Sequence, residues 1–139
     1  MNALIQNKIR ESFSRQGLMH TLGASIRSIE PGRVVIECPF QPGLSQQNGF
    51  FHAGAVSGLV DSACGYASLS VMEEDADVLS AEFKINLLKP ADTQLLVAEG
   101  KVIQAGRTLV ICEGWAWDET GTKLLAKMQA TMVAIRPGK

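Results

Sequence analysis

The stretch Ala53-Gly-Ala-Val-Ser-Gly-Leu-Val-Asp61-Ser-Ala-Cys-Gly-Tyr-Ala-Ser-Leu-Ser-Val-Met72 decides how this chain folds. Its only ionisable side chain of ordinary acid or base strength is Asp61. A helix that is apolar or small on every side is a buried helix, so the pattern predicts a central helix over about 53–72. Gly54, Ser57, Gly58, Asp61 and Gly65 recur at i+3 and i+4 and form a stripe of small residues along one face. Such a stripe is expected to let the helix lie close against a sheet. Each helical glycine costs about 1 kcal/mol relative to alanine, and close packing or the approach of a ligand is the usual compensation. Glu73-Glu74-Asp75 would oppose the helix dipole inside a last turn, so the helix is expected to end before them.

The segments around this helix read as strands. In 79–88, Ala81, Phe83, Ile85 and Leu87 alternate with Ser80, Glu82, Lys84 and Asn86, a strand with one buried face, closed by Pro90. Residues 94–104 and 107–117 form a hairpin about Ala105-Gly106, and 123–135 follows a turn at Gly121. Leu109, Ile111, Glu113, Trp115 and Trp117 share a face, which makes the tryptophans core or interface residues. Upstream, Pro31-Gly32 divides two apolar stretches, about 20–30 and 33–39, into another hairpin. Residues 41–52 are loop formers. Ile5, Ile9 and Phe13 give an amphipathic helix over about 2–16, with Gly17 as its stop. An antiparallel curved sheet of five to six strands around one long helix, with a short N-terminal helix, is an α+β layer fold, expected here as a single domain over 1–139. Its open sheet edge needs a cover, and edge-to-edge pairing of two sheets predicts at least a dimer.

Composition narrows the function. The chain has 139 residues, 46% of them apolar, with a net charge of −1. That is long enough for an unstapled core and carries no basic patch for nucleic acid. Cys38, Cys64 and Cys112 lie in apolar runs without Cys-x-x-Cys spacing and read as reduced core thiols, while His20 and His52 are far apart, so no metal site is expected. Lys8, Arg10 and Glu11 interrupt the N-terminus, and no segment makes an uninterrupted membrane span. A cytoplasmic protein with no membrane partner is the expectation.

Two features carry chemistry. The first is the helix start, where Gly49-Phe50-Phe51-His52 leads into Ala53-Gly54-Ala55. First-turn N–H groups lack intrahelical partners and the dipole there favours negative charge. With small side chains alongside, this is a candidate oxyanion hole; tight packing is the alternative. The second is Asp61, a carboxylate in an apolar helix. Desolvation raises the pKa of such a group, which suits a general base near neutral pH; an Asp opening onto a solvent gap is the alternative. Asp61 lies nine residues after His52, about 13 Å along the axis. That is too far for both to serve one carbonyl, so a site using both needs a second copy of the chain.

The run Gln46-Gln-Asn-Gly-Phe-Phe-His52-Ala-Gly-Ala55, with Asp61 nine positions after the histidine, resembles the hotdog-fold thioesterases, most of all their PaaI-like, phenylacetate-pathway branch. The likeness spans about 20–136. It implies a hydrolase of acyl-coenzyme A, with an aromatic or medium-chain acyl group, that uses no cofactor beyond the coenzyme A of its own substrate. It implies that the Ala53 N–H polarises the thioester carbonyl and that His52 holds the loop and helix start. Gln46 addresses the carbonyl or the attacking water. Asp61 of the partner chain is general base or nucleophile, and Ser80 assists it. Asn48, Gly49, Gly54, Phe50 and Tyr66 are then substrate-binding, Phe50 and Tyr66 along the acyl pocket. Lys89, with Lys84 and Arg107, meets the coenzyme A phosphates. The departure from the family pattern is Ala53, where glycine is usual; the N–H survives, and the acyl slot narrows by a methyl group. The expected assembly is a dimer sharing its sites, in a dimer of dimers. Two other readings stay open: a hydratase or dehydratase on the same fold with His52 as its histidine, and a non-catalytic acyl-coenzyme A-binding module.

Overall fold

The computed structural model describes residues 2–138. In chain order it contains helix α1 (Ala3–Ser14), helix α2 (Gly17–Leu22), strands β1 (Ser25–Glu30) and β2 (Arg33–Pro39), a 3₁₀ turn (Pro42–Leu44), helix α3 (Ala53–Leu69), and strands β3 (Asp77–Leu87), β4 (Leu95–Ala105), β5 (Leu109–Trp117) and β6 (Leu124–Ile135). The strands make one antiparallel sheet in the order β1-β2-β4-β5-β6-β3. The sheet packs against α3 with β4, β2 and β5 beneath it. The expectation of five to six strands around a central helix resolves to six, and α3 stops at Leu69, ahead of the acidic run.

α2 departs from expectation. The apolar stretch 20–30 was expected to be one strand, and Gly17 a stop. Instead Gly17 opens a helix that buries Met19 and Leu22, and Gly23 ends it in the left-handed region at φ 78°. Gly23 is thus the true divider, placing the start of β1 at Ser25. α1 covers the C-terminal half of α3: Ile5 and Ile9 are buried, Phe13 meets the Tyr66 ring at 6.0 Å, and Lys8 donates to the carbonyls of Glu74 and Ala76.

The close approach of helix and sheet comes from glycines on the sheet, correcting the expectation for the helical stripe. Gly100 and Gly114 are register partners on β4 and β5. A Cβ on Gly100 would sit 2.5 Å from the Ala63 carbonyl oxygen and the Cys64 nitrogen; one on Gly114 would strike Val60 and approach Cys64 Sγ at 2.8 Å. The stripe itself faces elsewhere. Gly65 has open space at its Cβ position, and Gly58 faces Leu18 of α2. The surface α3 turns to the sheet carries Leu59, Val60, Ala63, Cys64 and Ala67, all fully buried.

β3 is an edge strand, with β1 at the other edge, and its period-two pattern is broken once. Ser80 pairs with Met132 and Glu82 with Thr131, so Ala81 is an extra residue, a β-bulge. Strict alternation would turn Ser80 away from Phe83, Ile85 and Leu87. The bulge returns it to their face, opposite the buried Met132, Ala130, Met128 and Ala126 of β6. That face is not buried within one chain as expected: Phe83 and Leu87 remain 42% and 54% exposed. Trp115 and Trp117 lie on the opposite, convex face rather than in the core. Lys127 Nζ sits 4.3 Å above the Trp115 ring, and Trp117 Nε1 donates to Glu99 at 3.2 Å.

Candidate active site

His52 is the N-cap of α3, with extended backbone at φ −64° and ψ 143°, and its Nδ1 accepts the Gly54 N–H at 2.7 Å. Its carbonyl accepts from Ala55 at 3.0 Å and Val56 at 3.1 Å. The Ala53 N–H has no acceptor among the described residues. The His52 hydrogen bonds cap the first turn of α3. The loop before it is organised by Gln46, whose Oε1 accepts from the N–H groups of Asn48 at 2.5 Å and Phe50 at 3.3 Å. With its oxygen engaged, Gln46 presents the amide Nε2 as its available donor. Gly49 turns the loop at φ 84°, a conformation that favours glycine.

Gln46, Asn48, Phe50 and Ala53 line one pocket of about 350 Å³ together with Lys89 and Leu87. Phe51 lies deeper, 3% exposed, edge-on to Phe40 at 5.2 Å. His52 and Gly54 open to a different side, a pocket of about 270 Å³ shared with Leu18 and Leu44. Gly49 lines neither, and Lys84 and Arg107 lie outside both.

Asp61 is half-buried at mid-helix, and its Oδ1 accepts the Ser80 hydroxyl at 2.6 Å. Burial pushes its carboxyl above the ordinary aspartate range, while the Ser80 hydrogen bond pulls in the opposite direction. Asp61, Ser80 and Tyr66 line a third pocket of about 250 Å³. One chain thus brings the expected site residues together in two groups. Ala53 and Asp61 stand on one helix about 12 Å apart along its axis and open into separate pockets. Among the described residues no cluster of three or more His, Cys, Asp or Glu side chains could hold a metal ion, and no helix is long and apolar enough to cross a membrane.

Residues 48–125, more than half of the chain, match the Thioesterase superfamily, and this span carries α3, Asp61 and Ser80. The chain belongs to the thioesterase superfamily. It is 45% identical to a thioesterase family protein from Silicibacter pomeroyi whose crystal structure superposes with a TM-score of 0.92, covering 95% of this chain and 98% of that one. It is 28% identical to the 1,4-dihydroxy-2-naphthoyl-CoA hydrolase of Listeria monocytogenes over 88% of this chain and 99% of the relative. The E. coli PaaI protein from the phenylacetic acid degradation operon shares the fold at a TM-score of 0.86 and 18% identity, over 95% of this chain and 94% of that one. The curved sheet around α3 is the hotdog fold, and the protein is a thioester hydrolase.

Sequence reasoning missed part of this thioesterase's Asp61 pocket. Ser12 and Gln16 of the N-terminal segment, Ser62 of α3 and Asp77 of β3 also line it. Ser12 and Gln16 are four apart, which was the available signal, but their target depends on how α1 docks against α3.

Proposed function

We propose that this thioesterase hydrolyses acyl-coenzyme A with an aromatic or medium-chain acyl group, at sites shared between two chains, with Asp61 of one chain facing the helix start of the other. The observation that carries the reading is the division of one helix into two half-sites. Asp61 with Ser80 can take a proton but opens into a pocket that lacks the helix-start N–H, whereas the Ala53 N–H has no acceptor among the described residues and no carboxylate in its pocket. The apolar side chains along β3, an edge eleven residues long, support pairing of two such edges. That pairing gives the dimer, from which a dimer of dimers is built.

In this reading the thioester carbonyl oxygen rests on the Ala53 N–H, with Gln46 Nε2 beside the carbonyl or the incoming water. The partner's carboxylate, at the position of Asp61, takes a proton as water oxygen bonds to the carbonyl carbon. The negative charge collects on the carbonyl oxygen and is held at the helix N-terminus. When the C–S bond breaks, the proton returns to the departing coenzyme A sulfur and leaves the free acid. Attack by the carboxylate itself, forming an anhydride that water then opens, uses the same groups. No cofactor is needed. Lys89, beside the helix-start pocket, meets the coenzyme A phosphates, and Phe50 and Tyr66 flank the acyl group. His52 favours this reading over a hydratase, because its Nδ1 is engaged in capping α3.

A free-thiol assay across short, medium, long and aromatic acyl-coenzyme A substrates tests the function; no turnover of any would overturn it. The Ser80 bond gives a sharper test. The active form is ionised Asp61, and Ser80 stabilises it against desolvation. Ser80→Ala is expected to move the acidic limb of the kcat/KM profile to higher pH, with full ionisation recovering part of the rate. An acidic limb that stays in place or moves down would refute this role for Ser80.

A further inference from the structure

The Asp61 pocket is walled by hydrogen-bonding groups where a plain hydrocarbon chain would want apolar ones. Gln16, at the junction of α1 and α2, donates from Nε2 to the Tyr66 hydroxyl at 2.9 Å, and its Oε1 accepts from Ser62 Oγ at 3.4 Å. The Tyr66 hydroxyl also bonds Ser12 Oγ at 3.0 Å. Tyr66 itself is only 3% exposed.

Counting donors shows what this wall lacks. Tyr66 accepts from Gln16 and shares a single hydroxyl–hydroxyl hydrogen bond with Ser12, and Ser62 donates to Gln16. The second Nε2 proton of Gln16 and one hydroxyl proton of the Ser12–Tyr66 pair are then unspent. Desolvating them against a methyl-ended chain leaves donors without acceptors, which is costly. The carboxylates of Asp61 and Asp77 line the same pocket and disfavour an anionic end. What remains is a neutral oxygen acceptor. Tyr66 lies five residues beyond Asp61, about 7 Å along α3, so the acceptor belongs several bonds beyond the thioester carbonyl.

Resting on the catalytic reading above, we infer that Gln16 is a specificity-determining residue, and that the acyl group carries a hydroxyl or other neutral oxygen acceptor at its far end. The N-terminal helices are in this view part of the acyl-recognition wall, with Gln16 braced between Tyr66 and Ser62 so that its amide meets the substrate in one orientation.

Three probes of matched length test this: hexanoyl-, 6-hydroxyhexanoyl- and adipyl-coenzyme A, ending in methyl, hydroxyl and carboxylate. The wild type is expected to prefer the hydroxyl-ended probe over both others in kcat/KM by about tenfold or more, the order of effect of leaving one desolvated donor without an acceptor. Gln16→Leu, close in size, should collapse the hydroxyl-to-methyl ratio about tenfold, and Tyr66→Phe should move it the same way by less. A wild-type preference for the methyl-ended probe, or a ratio unmoved in both variants, overturns the inference. Asp61→Asn, run in parallel, separates the two claims. If it abolishes turnover while the ratio is insensitive to Gln16, only the specificity assignment fails. If turnover survives it while the ratio still follows Gln16, only the catalytic reading fails.

Discussion

Coexpression of an Asp61→Asn chain with an Ala53→Pro chain is expected to restore about one quarter of wild-type activity from two inactive parents. Each variant removes one half of the proposed site. Asp61→Asn keeps the shape of the side chain and deletes the base, a loss of about 10²–10⁴ in turnover. Ala53→Pro deletes one backbone N–H. Proline is favoured at the first position of a helix, and His52 before it already has the extended backbone, φ −64° and ψ 143°, that a residue preceding proline adopts. Its cost should therefore fall on the oxyanion, about 10²–10³ in rate. In a random mixture of two chains about half the dimers are mixed, and in a mixed dimer with shared sites one site carries both lesions and the other neither. Half of the dimers with half of their sites intact gives ~25% of wild-type turnover. Were each site built from a single chain, every site in the mixture would keep one lesion, and activity would stay at the parental level. That outcome would sink the shared-site reading.

Stability measurements guard against loss of folding. Burial raises the pKa of Asp61, so the folded chain holds that proton more tightly than the unfolded chain does. Its stabilising contribution is complete below the ordinary aspartate range and is lost as pH rises through the higher folded value. Asp61→Asn should therefore melt at or above the wild-type temperature at neutral pH, and the gap should close in acid. A variant that is both inactive and less stable at pH 7 would be read as misfolded.

Much of this was legible from residue types, and the exceptions have a common cause. α3 declared itself by being apolar on all sides, and its end before Glu73 followed from the dipole. The hairpin turns at Gly32 and Gly106 and the strand β2 fell where turn chemistry and periodicity put them. Asp61 stood out as the one charge in its helix. What was hidden depends on pairs distant in sequence. The face of Ser80 is set by the bulge at Ala81, which no alternation pattern reveals. The apolar side of β3 was visible, but not that the sheet leaves it uncovered. α2 is too short for periodicity to separate it from the strand that follows. The partnership of Ser12 and Gln16 with Tyr66 exists only once α1 has docked.

The glycines show the same limit and give the second large effect. Gly100→Ala is expected to destabilise the fold by about 2–3 kcal/mol, toward the upper end of what one inserted methyl costs in a packed interior. The new Cβ would lie 2.5 Å from the Ala63 oxygen and the Cys64 nitrogen, both backbone atoms of α3 that no rotamer change can move aside. Relief requires the whole helix to lift off β4, opening space over Gly114 as well. Such a loss should lower the melting temperature by roughly 10 °C for a chain of this size. Gly65→Ala is the matched control. That glycine belongs to the helical stripe, its Cβ position meets nothing within 4 Å, and its replacement should stabilise α3 by up to about 1 kcal/mol through helix propensity alone. Thermal denaturation of the two variants compares the two glycine sets directly. If Gly65→Ala were the damaging change and Gly100→Ala the silent one, α3 would approach the sheet through its own small residues, and the helix would have to be rotated about its axis from the orientation that turns Asp61 toward Ser80.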